Sequence, residues 1–196
     1  MHPVRIGIVV FAAAVLLAPL YAAAGYHWTQ HLISQLAAQQ APHHEIMSMA
    51  FIVLGVGALW SAVKRWRKCG ERRAWAFAGF GLFIAGAGVF AHRPMDPGLP
   101  FDAFAHQLHG AMAALSCTCL SIGFALDAIV ERGKIRRIRS ATLAALCLAM
   151  PLAMLAWSQV QGAIQRAMYA LVLAALWFRW NGEGPTRSGM YTRDQR

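Results

Sequence analysis

Six apolar stretches, each close to the ~20 residues a helix needs to cross a bilayer, run through this chain and decide what it can become. They extend approximately over 5–24, 46–63, 74–91, 109–130, 141–157 and 163–180. Together they take up more than half of its 196 residues, and the connections between them are short. Only 13% of the residues are charged, against roughly 25% in an ordinary soluble domain. A soluble fold is therefore excluded. The expected class is all-α, an integral membrane bundle of six transmembrane helices over 1–182. A basic cytoplasmic tail, 183–196, follows it and is expected to have no fold of its own.

The basic residues alternate sharply between connections. The second-to-third connection carries Lys64, Arg65, Arg67, Lys68, Arg72 and Arg73, and the fourth-to-fifth carries Arg132, Lys134, Arg136, Arg137 and Arg139. The connection after the first stretch has no Lys or Arg at all, and the one after the third has only Arg93. The positive-inside rule then puts both termini in the cytoplasm of a multi-pass protein of the cell inner membrane. Trp60, Trp66, Trp75, Trp177 and Trp180 mark the cytoplasmic interface in this frame, and Trp28 and Trp157 mark the other. The net charge of +10 is confined to short segments between apolar runs, so the partner it implies is the anionic lipid surface rather than a nucleic acid. The first stretch, from Arg5 to Ala22-Ala23-Ala24, also fits a cleavable signal peptide. Gly79, Gly81, Ala85, Gly86 and Gly88 predict close helix approach in the third stretch. Pro151 predicts a kink in the fifth. Cys117, Cys119 and Cys147 read as small packing residues, because residues two apart on a helix face different ways.

Seven of the eight histidines fall at or beyond the outer ends of the spans, with Asp96, Asp102, Ser34 and Arg166 on the same side. Taken as a helix, 27–39 sets Trp28, Leu32, Ile33 and Leu36 against His27, His31 and Ser34, the pattern of an amphipathic helix on the membrane surface. The segment from His92 to Gly98 is a Pro- and Gly-marked turn. Beyond it Asp102, His106 and His109 recur on one helical face, continued by Ser116. Two imidazoles beside a carboxylate suit Zn²⁺ or a proton relay. Arg166 opens the sixth span, where an ionised group costs up to roughly 2.5–3.5 kcal/mol and calls for a partner. Asp96 or Asp102 is the candidate partner, and snorkelling to the headgroups is the alternative.

These segments resemble a bacterial family of six-helix membrane proteins of unknown function, grouped with the Frag1-like membrane proteins. Its His-x-x-Ser-Glu-Leu stretch is matched by His31-Leu32-Ile33-Ser34-Gln35-Leu36, and its Pro-x-Asp turn by Pro94-Met95-Asp96. Its Leu-His-Gly is matched by Leu108-His109-Gly110, and its Gly-x-x-Gln-Arg by Gly162, Gln165 and Arg166. The resemblance covers most of the chain and implies the six-helix fold, but no established activity. It singles out His31, Ser34, Asp96, His109 and Arg166 and leaves His27, His43, His44 and His106 in supporting roles. Gln35 stands where the family pattern has Glu, which puts in doubt any mechanism needing an acid there.

Three functions are compatible with these residues. In a membrane hydrolase acting on a lipid or amide, His31, His109 and Asp96 would hold a metal, Zn²⁺ for preference, and its activated water. Ser34, Asp96 and Arg166 would form the catalytic set, with Ser34 and Arg166 orienting the substrate. The residue types resemble those of alkaline-ceramidase-type hydrolases, an analogy without aligned motifs. The second function is non-enzymatic: a transporter, sensor or lipid-binding protein whose histidines titrate near neutral pH. The third is structural, with the outer polar groups tying loops to the bundle. A bis-His haem is disfavoured, because the histidines lie at span ends and not in facing pairs.

Overall fold

A computed structural model of the chain describes residues 2–180; the basic tail read at 183–196 lies outside them. Six helices alternate in direction: α1 (Pro3–Leu16), α2 (His44–Cys69), α3 (Ala74–Val89), α4 (Ala103–Val130), α5 (Lys134–Ala156) and α6 (Gln161–Arg179). The described residues form no strand, only one isolated bridge between Ala38 and His92. This is the expected all-α bundle. One end collects the histidine-bearing connections and the other the arginine-bearing ones.

Helix length separates two groups. At roughly 1.5 Å per residue, the 26, 28 and 23 residues of α2, α4 and α5 exceed the ~30 Å hydrocarbon layer. These three are long and apolar enough to cross a membrane, and the chain is a membrane protein on that evidence. By contrast, α1 and α3 are shorter apolar helices of 14 and 16 residues, and α6 has 19. α1 ends where Pro19 enters a short 3-10 turn, Ala18–Leu20, since proline has no N–H to continue the ladder.

Local chemistry sets the other boundaries. α2 stops at Gly70, whose φ of 64° is the left-handed conformation glycine adopts without strain. α4 starts at Asp102, whose carboxylate accepts the backbone N–H groups of Phe104 and Ala105, two of the donors every helix start leaves open. α2 and α3 pack backbone to backbone at Gly55 and Gly81, where a Cβ on Gly55 would lie 2.5 Å from the Gly81 carbonyl. The small-residue pattern of the third stretch therefore has the consequence expected of it. Phe11, Phe51 and Tyr169, with ring centroids 4.8–6.4 Å apart, join α1, α2 and α6. Cys147 is buried in the same core.

Two expectations are corrected. Residues 27–39 are not an amphipathic helix; they form turns and one 3-10 turn, Ile33–Ala37, with Ile33, Ser34 and Leu36 all buried. A helix would pair these backbone groups with one another, but here α6 takes them, as described below. Trp180 is not an interfacial marker. It is 3% exposed and lies under the guanidinium groups of Arg65 and Arg179.

Candidate functional site

The family-type motif at the start of α6 is a clamp on the first connection. Arg166 donates to the backbone carbonyls of Trp28 at 2.6 Å and His31 at 3.0 Å, and to the Tyr26 hydroxyl. Gln165 accepts the backbone N–H of Ile33 at 2.5 Å. Gly162 lets the connection come this close, since a Cβ there would collide with the carbonyls of His31 and Trp28. Arg166 thus finds its partners in backbone carbonyls rather than in Asp96 or Asp102, and it is half-buried rather than snorkelling. Gln35 accepts the Leu32 N–H at 2.8 Å, a bond that needs an acceptor oxygen and no charge. Burial raises the Tyr26 hydroxyl above its ordinary value of 10.0, against the opposing pull of Arg166.

The clamp fixes where Ser34 goes. Its side chain is 5% exposed and lines a cavity of about 330 Å³ between α4, α5 and α6 in the histidine-bearing half of the bundle. The wall is largely apolar, including Ala113, Cys117, Met154, Met168 and Tyr169. Ala114 and Leu155 at its rim are exposed, so the cavity opens on the flank of the bundle. Most of its polar lining residues, Ser34, His92, His109, Gln161 and Gln165, come from the histidine-bearing connections and the helix ends beside them, while Ser116 lies deeper on α4.

His109 is held firmly there. Its Nδ1 lies 2.8 Å from the carbonyl oxygens of both Ala87 and Phe90. Two acceptors require a donor between them, so Nδ1 carries the proton and Nε2 is the acceptor nitrogen of the neutral ring. The His92 ring meets His109 edge to face at 5.4 Å and His106 at 4.6 Å. Burial pushes the His92 imidazole down to about 4; the backbone contact at Arg93 opposes this, and His109 and His106 reinforce it.

The remaining expected site residues lie elsewhere. His31 accepts the backbone N–H of His27 through Nδ1 at 2.8 Å and stacks on Tyr26. Asp96 is exposed and accepts the Gly98 N–H at 2.8 Å, closing its own turn. Asp102 caps α4. Among the described residues no group of three or more His, Cys, Asp or Glu side chains is placed to hold a metal ion. His31, His109 and Asp96 are accordingly not brought together as a ligand set.

His92 and Gln165 have larger parts than the sequence reading gave them. His92 follows the third span and opens the Pro-marked turn, which was the available signal; Gln165 belongs to the Gly-x-x-Gln-Arg motif.

At the arginine-bearing end, carboxylates and guanidinium groups interlock. Arg179 donates to Glu71 at 2.7 Å and to Asp127 at 2.8 Å. Arg73 reaches the same two acids at 2.7 and 3.3 Å, and Arg65 bonds Glu71. Burial alone would raise the Glu71 carboxyl, but the bonds and charges of Arg179 and Arg65 outweigh it and hold it down at about 2.

Neither a curated protein nor a solved structure matches the chain. The clamp, the cavity and the charged end all fall within residues 5–180, the span matched by the model of the family described as "Protein of unknown function (DUF998)", and the chain belongs to that family.

Proposed function

We propose that this is a six-span inner-membrane protein with cytoplasmic termini, and that its flank-opening cavity binds a membrane lipid at the outer leaflet. The observation that carries the reading is the cavity itself. It combines an apolar wall with a polar end formed by Ser34, His92, His109 and Gln165. Ligand pockets have this composition, an apolar body with a few oriented polar groups. The flank opening gives a lipid chain a route from the bilayer without crossing water. The orientation rests on the Lys and Arg distribution, and it sets the histidine-bearing end toward the periplasm.

Native mass spectrometry of the purified protein tests this. The wild type retains a lipid through delipidating washes, and Ala113→Trp, which fills the cavity, releases it. Ala111→Trp on the exposed side of the same helix is the control and keeps the lipid. Equal retention in all three would refute the reading.

One observation favours a second reading, hydrolysis of a bound lipid or amide. Ser34 and His109 line the same cavity, and the protonation of His109 on Nδ1 leaves Nε2 to accept a proton. In this reading Ser34 is the nucleophile. Labelling of Ser34 by a lipid-like fluorophosphonate, lost in Ser34→Ala and in His109→Gln, supports hydrolysis; absence of labelling in the wild type rejects it.

A further inference from the structure

The arginine-bearing end contains a second cavity, of about 280 Å³, between α4, α5 and α6. Five arginines line it: Arg65, Arg73, Arg136, Arg139 and Arg179. Its wall has two carboxylates, Asp127 and Glu131. Glu71 adds a third by bonding Arg65, Arg73 and Arg179 from behind. Three acids against five guanidinium groups leave a surplus of two positive charges in one concavity. We propose that this cavity binds a phosphate-bearing anion, either the headgroup of an anionic lipid or a soluble phosphate compound.

The arrangement divides the work between two sets of arginines. Arg65, Arg73 and Arg179 are 10–26% exposed and are held by Glu71 and Asp127. The acids fix their geometry, while each guanidinium has five N–H donors in a planar fork. Donors not used on carboxylates remain for an anion, and an anchored fork loses little entropy on binding one. Arg136 and Arg139 stand at the rim on the first turns of α5 and are exposed. Arg136 bonds Glu131 at 3.2 Å, and Arg139 has no carboxylate within ion-pair distance among the described residues. The N-terminal end of α5 adds its own partial positive charge at the same rim.

The surroundings bear on the source of the phosphate. Phe178 lines the cavity and is 62% exposed, and Ile135 and Ile138 stand beside the rim at 84% and 54%. Exposed apolar side chains next to arginines are the pattern of a lipid-headgroup site, with acyl chains running along the helices. This favours a lipid headgroup as the source of the phosphate.

The full-length protein is titrated with a short-chain phosphatidylglycerol by native mass spectrometry, in the presence and absence of inorganic phosphate. The variants are Arg136→Gln, Arg139→Gln and, as control, Arg137→Gln, an exposed neighbour outside the cavity. Unchanged melting temperatures establish folding. The expected result is binding of phosphatidylglycerol weakened about fivefold by each cavity variant, the effect of one basic side chain at an anionic headgroup, and little changed in Arg137→Gln. Insensitivity to inorganic phosphate identifies the lipid as the ligand. Competition by phosphate, with the same dependence on Arg136 and Arg139, identifies a soluble phosphate compound. Equal effects of all three variants, or none in any, would overturn the proposal, because affinity would then reflect surface charge alone or no site at all.

Discussion

Gln165 on α6 accepts the backbone N–H of Ile33 at 2.5 Å, joining residues 132 positions apart in the chain. The next residue, Ser34, is thereby carried into the cavity wall. The conformation of the first connection is therefore set by α6 rather than by its own sequence pattern. Breaking that link should release the connection and leave the helices in place.

Arg166→Met tests the stronger half of the clamp. It removes charge-assisted bonds to the carbonyls of Trp28, His31 and Gly162 and to the Tyr26 hydroxyl, each worth about 1.5–3 kcal/mol where buried. The expected outcome is a lower unfolding temperature in detergent and new proteolytic cleavage within residues 25–32. Arg166→Lys should recover only part of the loss, because a single ammonium cannot reproduce the guanidinium fork. Unaltered cleavage would mean that the connection holds itself.

A pair of glycines gives a packing test of opposite sign. Gly162→Ala drives a methyl into the carbonyls of His31 and Trp28, whereas at Gly110 an added Cβ meets nothing within 4 Å. The first should destabilise by about 1–3 kcal/mol through overpacking. The second should be neutral or stabilise by up to about 1 kcal/mol, through the better helix propensity of alanine. Thermal unfolding of the two variants side by side checks this.

Glu71 predicts an acid-labile bundle. Its carboxyl is held near 2 in the folded protein, below its ordinary 4.5. A depressed folded-state value means its contribution is complete above pH 4.5 and is lost as pH falls from 4.5 toward 2. Unfolding temperature should drop across that window in the wild type. Glu71→Gln should flatten the drop and cost on the order of 3 kcal/mol at neutral pH, since it leaves buried arginines short of a partner.

Asp102 separates capping from chemistry. If its part is to cap α4, Asp102→Asn should be nearly silent and Asp102→Ala should cost about 1 kcal/mol in stability. Neither should change occupancy of the cavity. Loss of a bound lipid in Asp102→Asn would restore Asp102 to the site.

The helices were legible in the sequence because lipid imposes one demand along the whole run, and apolar residues of the right length meet it. Their ends were less so. α4 begins six residues before the apolar stretch that announced it, with His106 and His109 already on the helix. Asp102, read there as one of a face of candidate ligands, stands just before the first helical residue, which is itself an N-cap signal. The histidine-bearing end was legible as a list of residue types, and Ser34 and His109 do meet at one cavity. Their division of labour was not legible. Arg166 is tied to the backbone carbonyls of Trp28 and His31, more than a hundred residues away in the chain, and no local spacing encodes such pairings. The same holds at the other end. Arg65 and Arg73 read as surface charges under the positive-inside rule, but Glu71 and Asp127 draw them, together with Arg179, into a buried network.

The central claim is that lipid enters the cavity flanked by α4, α5 and α6. Photo-crosslinking with a diazirine-bearing acyl lipid in nanodiscs, followed by peptide mapping, tests it most directly. The account predicts adducts on cavity-lining residues such as Met154, Met168 and Cys117, reduced by Ala113→Trp. Adducts confined to the outward-facing Leu148, Leu152 and Leu171, and indifferent to Ala113→Trp, would contradict it.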